Sequence, residues 1–252
     1  MTTPVSDPPV YDAWSRWRSA TRARIGLGRS GDGLPTTALL DFQAAHGRAR
    51  DAVHGAADFA SLADALAPQA VIAVHSQASD RATYLRRPDL GRRLDPAGLP
   101  LLEAARGDWD VAFVIADGLS ARAVAHHAVP LLQTCRVRLD GWRIAPVVLA
   151  AQARVAIGDE IGARLGAACV AVLIGERPGL SVADSLGVYL TWAPRPGRSD
   201  AERNCISNIH ADGLGYEQAA GMLCWLLRAA RQRQVSGVSL KLDTAAAAAL
   251  TS

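Results

Sequence analysis

Three short, uninterrupted apolar runs constrain this chain more than any other feature: Val111 to Ala116 (VAFVIA), Ile144 to Ala150 (IAPVVLA) and Val170 to Gly175 (VAVLIG). Each is too brief for a buried helix of ordinary length. None alternates with polar residues, as a strand with one wet face would. Runs of this kind are strands covered on both sides. They are separated by helical stretches, one from Asp117-Gly118-Leu119-Ser120 to Cys135 and one near Asp159 to Leu165. Strands alternating with helices predict a parallel sheet with helices on both faces. Leu186 to Trp192 (LGVYLTW) supplies a fourth strand. Tyr216 to Arg233 reads as a long amphipathic helix carrying Met222, Leu223, Leu226 and Leu227.

The first hundred residues read differently. Residues 1 to 37 predict an extended arm ending in a glycine-rich loop, Ile25 to Thr36. Apolar spacing predicts helices over Ala38 to Val53 and Phe59 to Leu66, followed by a β-branched run from Val71 to Val74. In YLRRPDLGRRL, Pro88 blocks a helix from running through and Gly91 permits a turn, so a loop with four arginines is expected. That loop is either a solvated basic surface or an anion or partner contact. The expected fold is α/β: a helical N-terminal part over 1–107, a Rossmann-like parallel-sheet domain over 108–243, and a frayed tail over 244–252.

Composition removes several function classes. Twenty-seven basic against 24 acidic side chains give 27 − 24 = +3, and half of the 252 residues are apolar. Such a chain can build a core, and its balanced charge does not suggest nucleic-acid binding. Lys241 is the only lysine, which points to codon bias and not to selection for anion binding. The uncharged stretch Ala123 to Cys135 holds two histidines and a proline and falls short of the roughly 18 apolar residues of a membrane span. The N-terminus lacks the basic flank and apolar centre of an export signal. Four scattered cysteines without a CxxC pair predict reduced thiols in a cytoplasmic protein.

In an open parallel sheet, ligands sit beyond the carboxyl ends of the strands. The loops this rule selects contain no GxGxxG, no GxSxG and no P-loop, which disfavours dinucleotide, simple hydrolase and NTPase chemistry. Glu176, in a turn bounded by Gly and Pro, is a candidate general base, ligand acceptor or structural partner of an arginine. Cys205, in Arg203-Asn204-Cys205-Ile206-Ser207-Asn208, is a candidate nucleophile or an inert thiol. His126 and His127 are adjacent on a helix and point to different faces, so core or surface roles are expected. His210, in Asn208-Ile209-His210-Ala211-Asp212-Gly213, imitates a cobalt-ligand motif. Asn208, however, replaces the carboxylate that would polarise the imidazole.

The strings RVAIGDEIGARLGA, VLIGERPGLSVADSLGVYLTW, AERNCISNIH and SGVSLK, with VIADGLSARAV, LGRSG and YLRRPDLGRRL, resemble the small subunit of ethanolamine ammonia-lyase over roughly Ile25 to Lys241. The resemblance implies part of a radical lyase that converts ethanolamine to acetaldehyde and ammonia with adenosylcobalamin. It implies a barrel-shaped large subunit holding substrate and the adenosyl side, and a small subunit covering the other side of the corrin. Heterodimers would assemble into a larger hetero-oligomer, cytoplasmic and, in the alternative setting, inside a bacterial microcompartment. Cobalamin contacts carry over to Val155 in ARV, Glu176 in GERPGL and Cys205 in RNCIS. No catalytic acid or base and no metal ligand is expected on this chain, and no membrane or nucleic-acid partner. The competing reading is a stand-alone α/β enzyme or binding protein for a nucleotide-like ligand, with Glu176 and Cys205 as its own pair.

Overall fold

A computed structural model of the chain describes residues 12–241. The proposed frayed tail over 244–252 and the start of the arm lie outside the described residues. Two compact units divide between Arg48 and Ala49.

The first unit opens with a helix where an extended arm was expected, α1 (Ser15–Ala20). A glycine-rich turn follows, in which Gly26, Gly28 and Gly31 all adopt positive φ, a region L side chains rarely enter. At Gly26 the Trp14 ring lies where a Cβ would stand. Helix α2 (Thr36–His54) begins in this unit and runs through the division.

The second unit continues with α3 (Phe59–Leu66), β1 (Val71–His75), α4 (Arg81–Arg86), α5 (Leu99–Ala104), β2 (Trp109–Ala116), α6 (Ala121–Val137) and β3 (Val147–Ala151). It ends with α7 (Ile157–Leu165), β4 (Ala167–Gly175), β5 (Leu186–Trp192), β6 (Arg203–Ile209) and α8 (Tyr216–Arg233). The six strands form one sheet in the order β1-β3-β2-β4-β5-β6. The three apolar runs are β2, β3 and β4, mutually parallel as expected. The β-branched run became β1, parallel to β3 at the edge. The sheet therefore draws a strand from before residue 107.

Period-two alternation distributes the core over both faces. Val111, Phe113 and Ile115 point to the side of α3, α6 and α8, packing against Leu131, Leu132 and Leu223. Ala112, Val114 and Ala116 point to the other side, where α5 and α7 supply Leu102, Ile157 and Ile161. Helix α7 ends at Gly166, whose φ of 77° makes the left-handed cap.

The last two strands are antiparallel. Only ten residues (176–185) connect β4 to β5, and ten (193–202) connect β5 to β6. Neither connection is long enough for the helical crossover that a parallel pair needs. Residues Arg203 to Asn208, expected within a strand-end loop, instead form the edge strand β6. Only Arg203, Ile206 and Ile209 of that strand are buried, a sparse apolar pattern that propensity does not flag. The arginine segment is also more ordered than a solvated loop. Tyr84, at 0% exposure, is fully buried within α4, and a 3₁₀ turn spans Leu90–Arg92. Arg87 is spent on Asp89, at 2.9 and 2.7 Å. Among the described residues no helix is long and apolar enough to cross a membrane.

The start of α7 is tied to β6 by a buried ion pair. The Arg203 guanidinium donates to both carboxylate oxygens of Asp159 at 2.6 and 2.8 Å, and also to Thr191 Oγ1 at 3.0 Å. Removing one member leaves the other charge buried and uncompensated. Asp159→Ala is expected to lower unfolding stability by about 3–5 kcal/mol. Asp159→Leu combined with Arg203→Met should cost less than either single change. Urea denaturation of Asp159→Ala, of the double variant and of its two single changes checks both statements.

Candidate functional site at the strand ends

Strand β2 feeds α6 on one face of the sheet, and its neighbour β3 feeds α7 on the other. Where adjacent strands send their chains to opposite faces, a crevice opens beyond their carboxyl ends. The sequence places Asp117, Gly118 and Leu119 on one lip and Gln152, Ala153, Arg154 and Val155 on the other. A cleft of about 280 Å³ lies here, lined by Gly118, Arg154, Val155, Glu176, Tyr84 and Tyr189 among others.

The cleft is built by Asp117. Its carboxylate accepts from the backbone N–H of Gln152 and of Ala153, both at 3.0 Å, and lies 3.5 Å from Arg81. Burial pushes the Asp117 carboxyl up, against the pull of those two amides and of Arg81. Gln152 sits at a φ of 52°, a left-handed conformation that the two bonds hold in place. Gly118, at a φ of 57°, closes the other side: a Cβ there would stand 2.3 Å from the Gly175 carbonyl oxygen. Leu119 N–H donates to that same carbonyl at 2.9 Å. The end of β3 is thus tied to that of β2 through the Asp117 carboxylate, and the end of β4 to that of β2 by a main-chain bond.

Tyr84 forms the floor. Its ring lies between the guanidinium groups of Arg154 at 4.2 Å and Arg81 at 4.7 Å, and its hydroxyl donates to the Ala153 carbonyl at 3.2 Å. Burial pushes the phenol up to about 12. Arg154 is held further by Gly91, whose carbonyl accepts from its backbone N–H at 2.8 Å. Burial, reinforced by the charges of Arg177, Arg81 and Arg92, lowers the Arg154 pKa. Among the described residues its Nε is buried without a hydrogen-bond partner.

Glu176, at the end of β4, takes two donors on one oxygen: the Ser185 hydroxyl and the Asn208 N–H, the latter at 3.2 Å. Among the described residues no donor is seated on Oε1, which lies close to Gly187. Glu176 is therefore fixed by hydroxyl and amide donors and not by an arginine. Val155 is half-buried in the cleft wall. Cys205 is exposed on β6, directly opposite Tyr189 of β5. The apolar surround raises the Cys205 thiol; the Tyr189 hydroxyl opposes this and the Glu176 charge adds to it. So the structure brings Val155 and Glu176 into one cleft and leaves Cys205 outside its lining, next to Tyr189 on the neighbouring strand. Sequence reasoning missed Tyr84, Tyr189 and the orphaned Arg154 Nε. Tyr84 and Tyr189 do fall within the strings YLRRPDLGRRL and LGVYLTW. His210 is buried, its Nε2 2.9 Å from Asn208 Oδ1 and its Nδ1 accepting from Asp212 N–H at 3.3 Å.

Fold and cleft together define an α/β chain whose candidate site lies at a strand-order reversal and is equipped with fixed donors and acceptors. A family model, ethanolamine ammonia-lyase light chain (EutC), matches residues 11–241. The chain is 53% identical over 236 residues to the ethanolamine ammonia-lyase small subunit of Pseudomonas syringae pv. tomato, covering 90% of this chain and 82% of that one. It is 53% identical over 249 residues to the subunit of the same name from Xanthomonas campestris pv. campestris, covering 96% and 91%. Against the one from Ralstonia nicotianae the identity is 52% over 252 residues, covering 96% and 93%. The chain belongs to the ethanolamine ammonia-lyase small-subunit family.

Asp117→Asn replaces one acceptor oxygen by an amide that faces a backbone donor. It is expected to destabilise the chain by about 1–3 kcal/mol, read as a lower urea midpoint. An unchanged midpoint would mean that the turn after β3 is held by other contacts.

Proposed function

We propose that this chain is the small subunit of an adenosylcobalamin-dependent ethanolamine ammonia-lyase and covers one side of the corrin against a large catalytic subunit. The observation that carries this reading is the meeting of Val155 and Glu176 in a single cleft beyond the strand ends. A corrin is a flat apolar macrocycle fringed by amides, so its site needs apolar wall, acceptors for amide N–H and donors for amide carbonyls. Val155 and the Tyr189 ring supply wall, Glu176 Oε1 supplies an acceptor, and Arg154 Nε is a buried donor awaiting an acceptor. The residues fit the group. The cleft is too small to enclose it, which supports a role in which this chain grips an edge and a partner closes the remainder.

When bound, the cofactor supplies radical chemistry by breaking its cobalt–carbon bond. This chain's residues bind and orient: Asp117 fixes the turn bearing Arg154 and Val155, and Ser185 with Asn208 aims the Glu176 carboxylate. Both ring nitrogens of His210 are engaged locally, by Asn208 and Asp212, so His210 would not be among the residues that hold the group. The competing stand-alone enzyme needs an activated thiolate, but the Cys205 thiol is raised and not lowered. A hetero-oligomer in the cytoplasm, with or without a microcompartment around it, follows from the favoured reading.

Two outcomes test it. The purified chain alone should form no acetaldehyde from ethanolamine with adenosylcobalamin, and activity should arise on adding the large subunit; turnover by the lone chain would end the proposal. Glu176→Ala, assembled with the large subunit, should bind cobalamin more weakly by about 1–3 kcal/mol without unfolding. Equal affinity by corrinoid spectroscopy would make Glu176 a purely structural residue.

A further inference from the structure

His126 and His127 point to different sides of α6, and neither suggested a ligand in the sequence. The chain after Glu176 changes that. The Ser120 hydroxyl, which caps α6, donates to the Ala183 carbonyl at 2.8 Å and so draws the 176–185 connection over the start of the helix. Asp184 then lies beside both imidazoles. His126 Nδ1 is 3.5 Å from Asp184 Oδ2, and one ligating atom from each of His126, His127 and Asp184 falls within 4.8 Å of the other two. His127 Nδ1 is already bound to the Tyr216 hydroxyl at 2.7 Å. Among the described residues its Nε2 is buried with no partner at hydrogen-bonding distance, the Asp184 main chain lying beside it, and the residue is only 6% exposed. A buried, unpartnered imidazole nitrogen beside an imidazole and a carboxylate is a site prepared for a ligand, since a native interior leaves few such atoms unmet.

We propose that His126, His127 and Asp184 bind one divalent cation of the zinc class, with water in the remaining position. Two borderline imidazoles with one harder carboxylate form a mixed nitrogen–oxygen set suited to Zn²⁺ and not to Mg²⁺ or Ca²⁺, which prefer all-oxygen shells. Around a tetrahedral zinc, ligating atoms are about 3.3 Å apart, so the His126–Asp184 spacing already fits and the third atom must close by about an ångström. Half-exposed His126 and the loop-borne Asp184 are free to make that movement, and Asp184 gives up its longer contact with Arg122, at 3.7 Å. Tyr216 acts as the outer partner that orients His127. With Nδ1–H donating to its hydroxyl, the Nε2 lone pair is left for metal. The ion would pin the connection that bears Glu176 to helix α6. It is a site separate from the corrin cleft, and the inference stands whether or not the functional reading does.

The test uses the full-length chain, stripped with EDTA, and titrates Zn²⁺ against a chromophoric chelator. One Zn²⁺ per chain is expected, with at least tenfold weaker binding in His126→Ala and in Asp184→Asn. Both changes are on accessible side chains, so folding is retained where His127→Ala could fail. Zn²⁺ should also raise the melting temperature of the wild type and not of these variants. Co²⁺ should give visible bands of a nitrogen–oxygen site that both variants abolish. Absence of a one-to-one site, a loss of less than tenfold in either variant, or a sulfur-to-cobalt band pointing to cysteine would each overturn the proposal.

Discussion

A carboxylate at 1% exposure has to be met by donors on every side, and at Asp117 the donors are main-chain amides of a neighbouring strand end. Burying such a group is unfavourable unless it is hydrogen-bonded and paired, so Asp117 dictates where the turn after β3 must stand. That turn presents Arg154 and Val155. Arg81, drawn toward the same carboxylate, also donates to the Val53 and Gly118 carbonyls at 2.7 and 2.9 Å and stacks on Tyr84. One buried charge thereby positions four segments of chain that are far apart in sequence.

The chemistry of the cleft follows from this frame. Two arginines sandwich a tyrosine that burial keeps protonated, so the floor is rigid, cationic and unable to act as an acid near neutrality. Glu176 is aimed by a hydroxyl and an amide, and Cys205 sits opposite Tyr189 with its thiol pKa raised. None of these groups is paired as a base with a nucleophile. The arrangement suits holding a polar-fringed, flat ligand, and it agrees with membership of a family named for a subunit of a lyase.

Much of this was legible in the residues alone. The continuous apolar runs VAFVIA, IAPVVLA and VAVLIG admit only strands covered on both faces, and the 3.6-residue spacing of Phe59–Leu66 and Tyr216–Arg233 marks helices whose bounds the structure reproduces. The strand-end rule directed attention to Glu176, and the family resemblance to Val155, before any coordinates. The edge strand β6 was not legible, because only three of its seven residues are buried and the rest read as a polar loop.

Local periodicity and turn chemistry are properties of neighbouring residues, so the sequence by itself determined the strands β2 to β5, the main helices and the parallel core. Contacts between distant segments obey no local period. Only the tertiary structure decided that β5 and β6 turn back antiparallel, that Tyr189 stands opposite Cys205, that the Tyr84 ring is met by both Arg81 and Arg154, and that Asp184 reaches His126 and His127. Each of those meetings depends on how ten-residue connections and a buried carboxylate fold the chain in space, which no run of adjacent residues encodes.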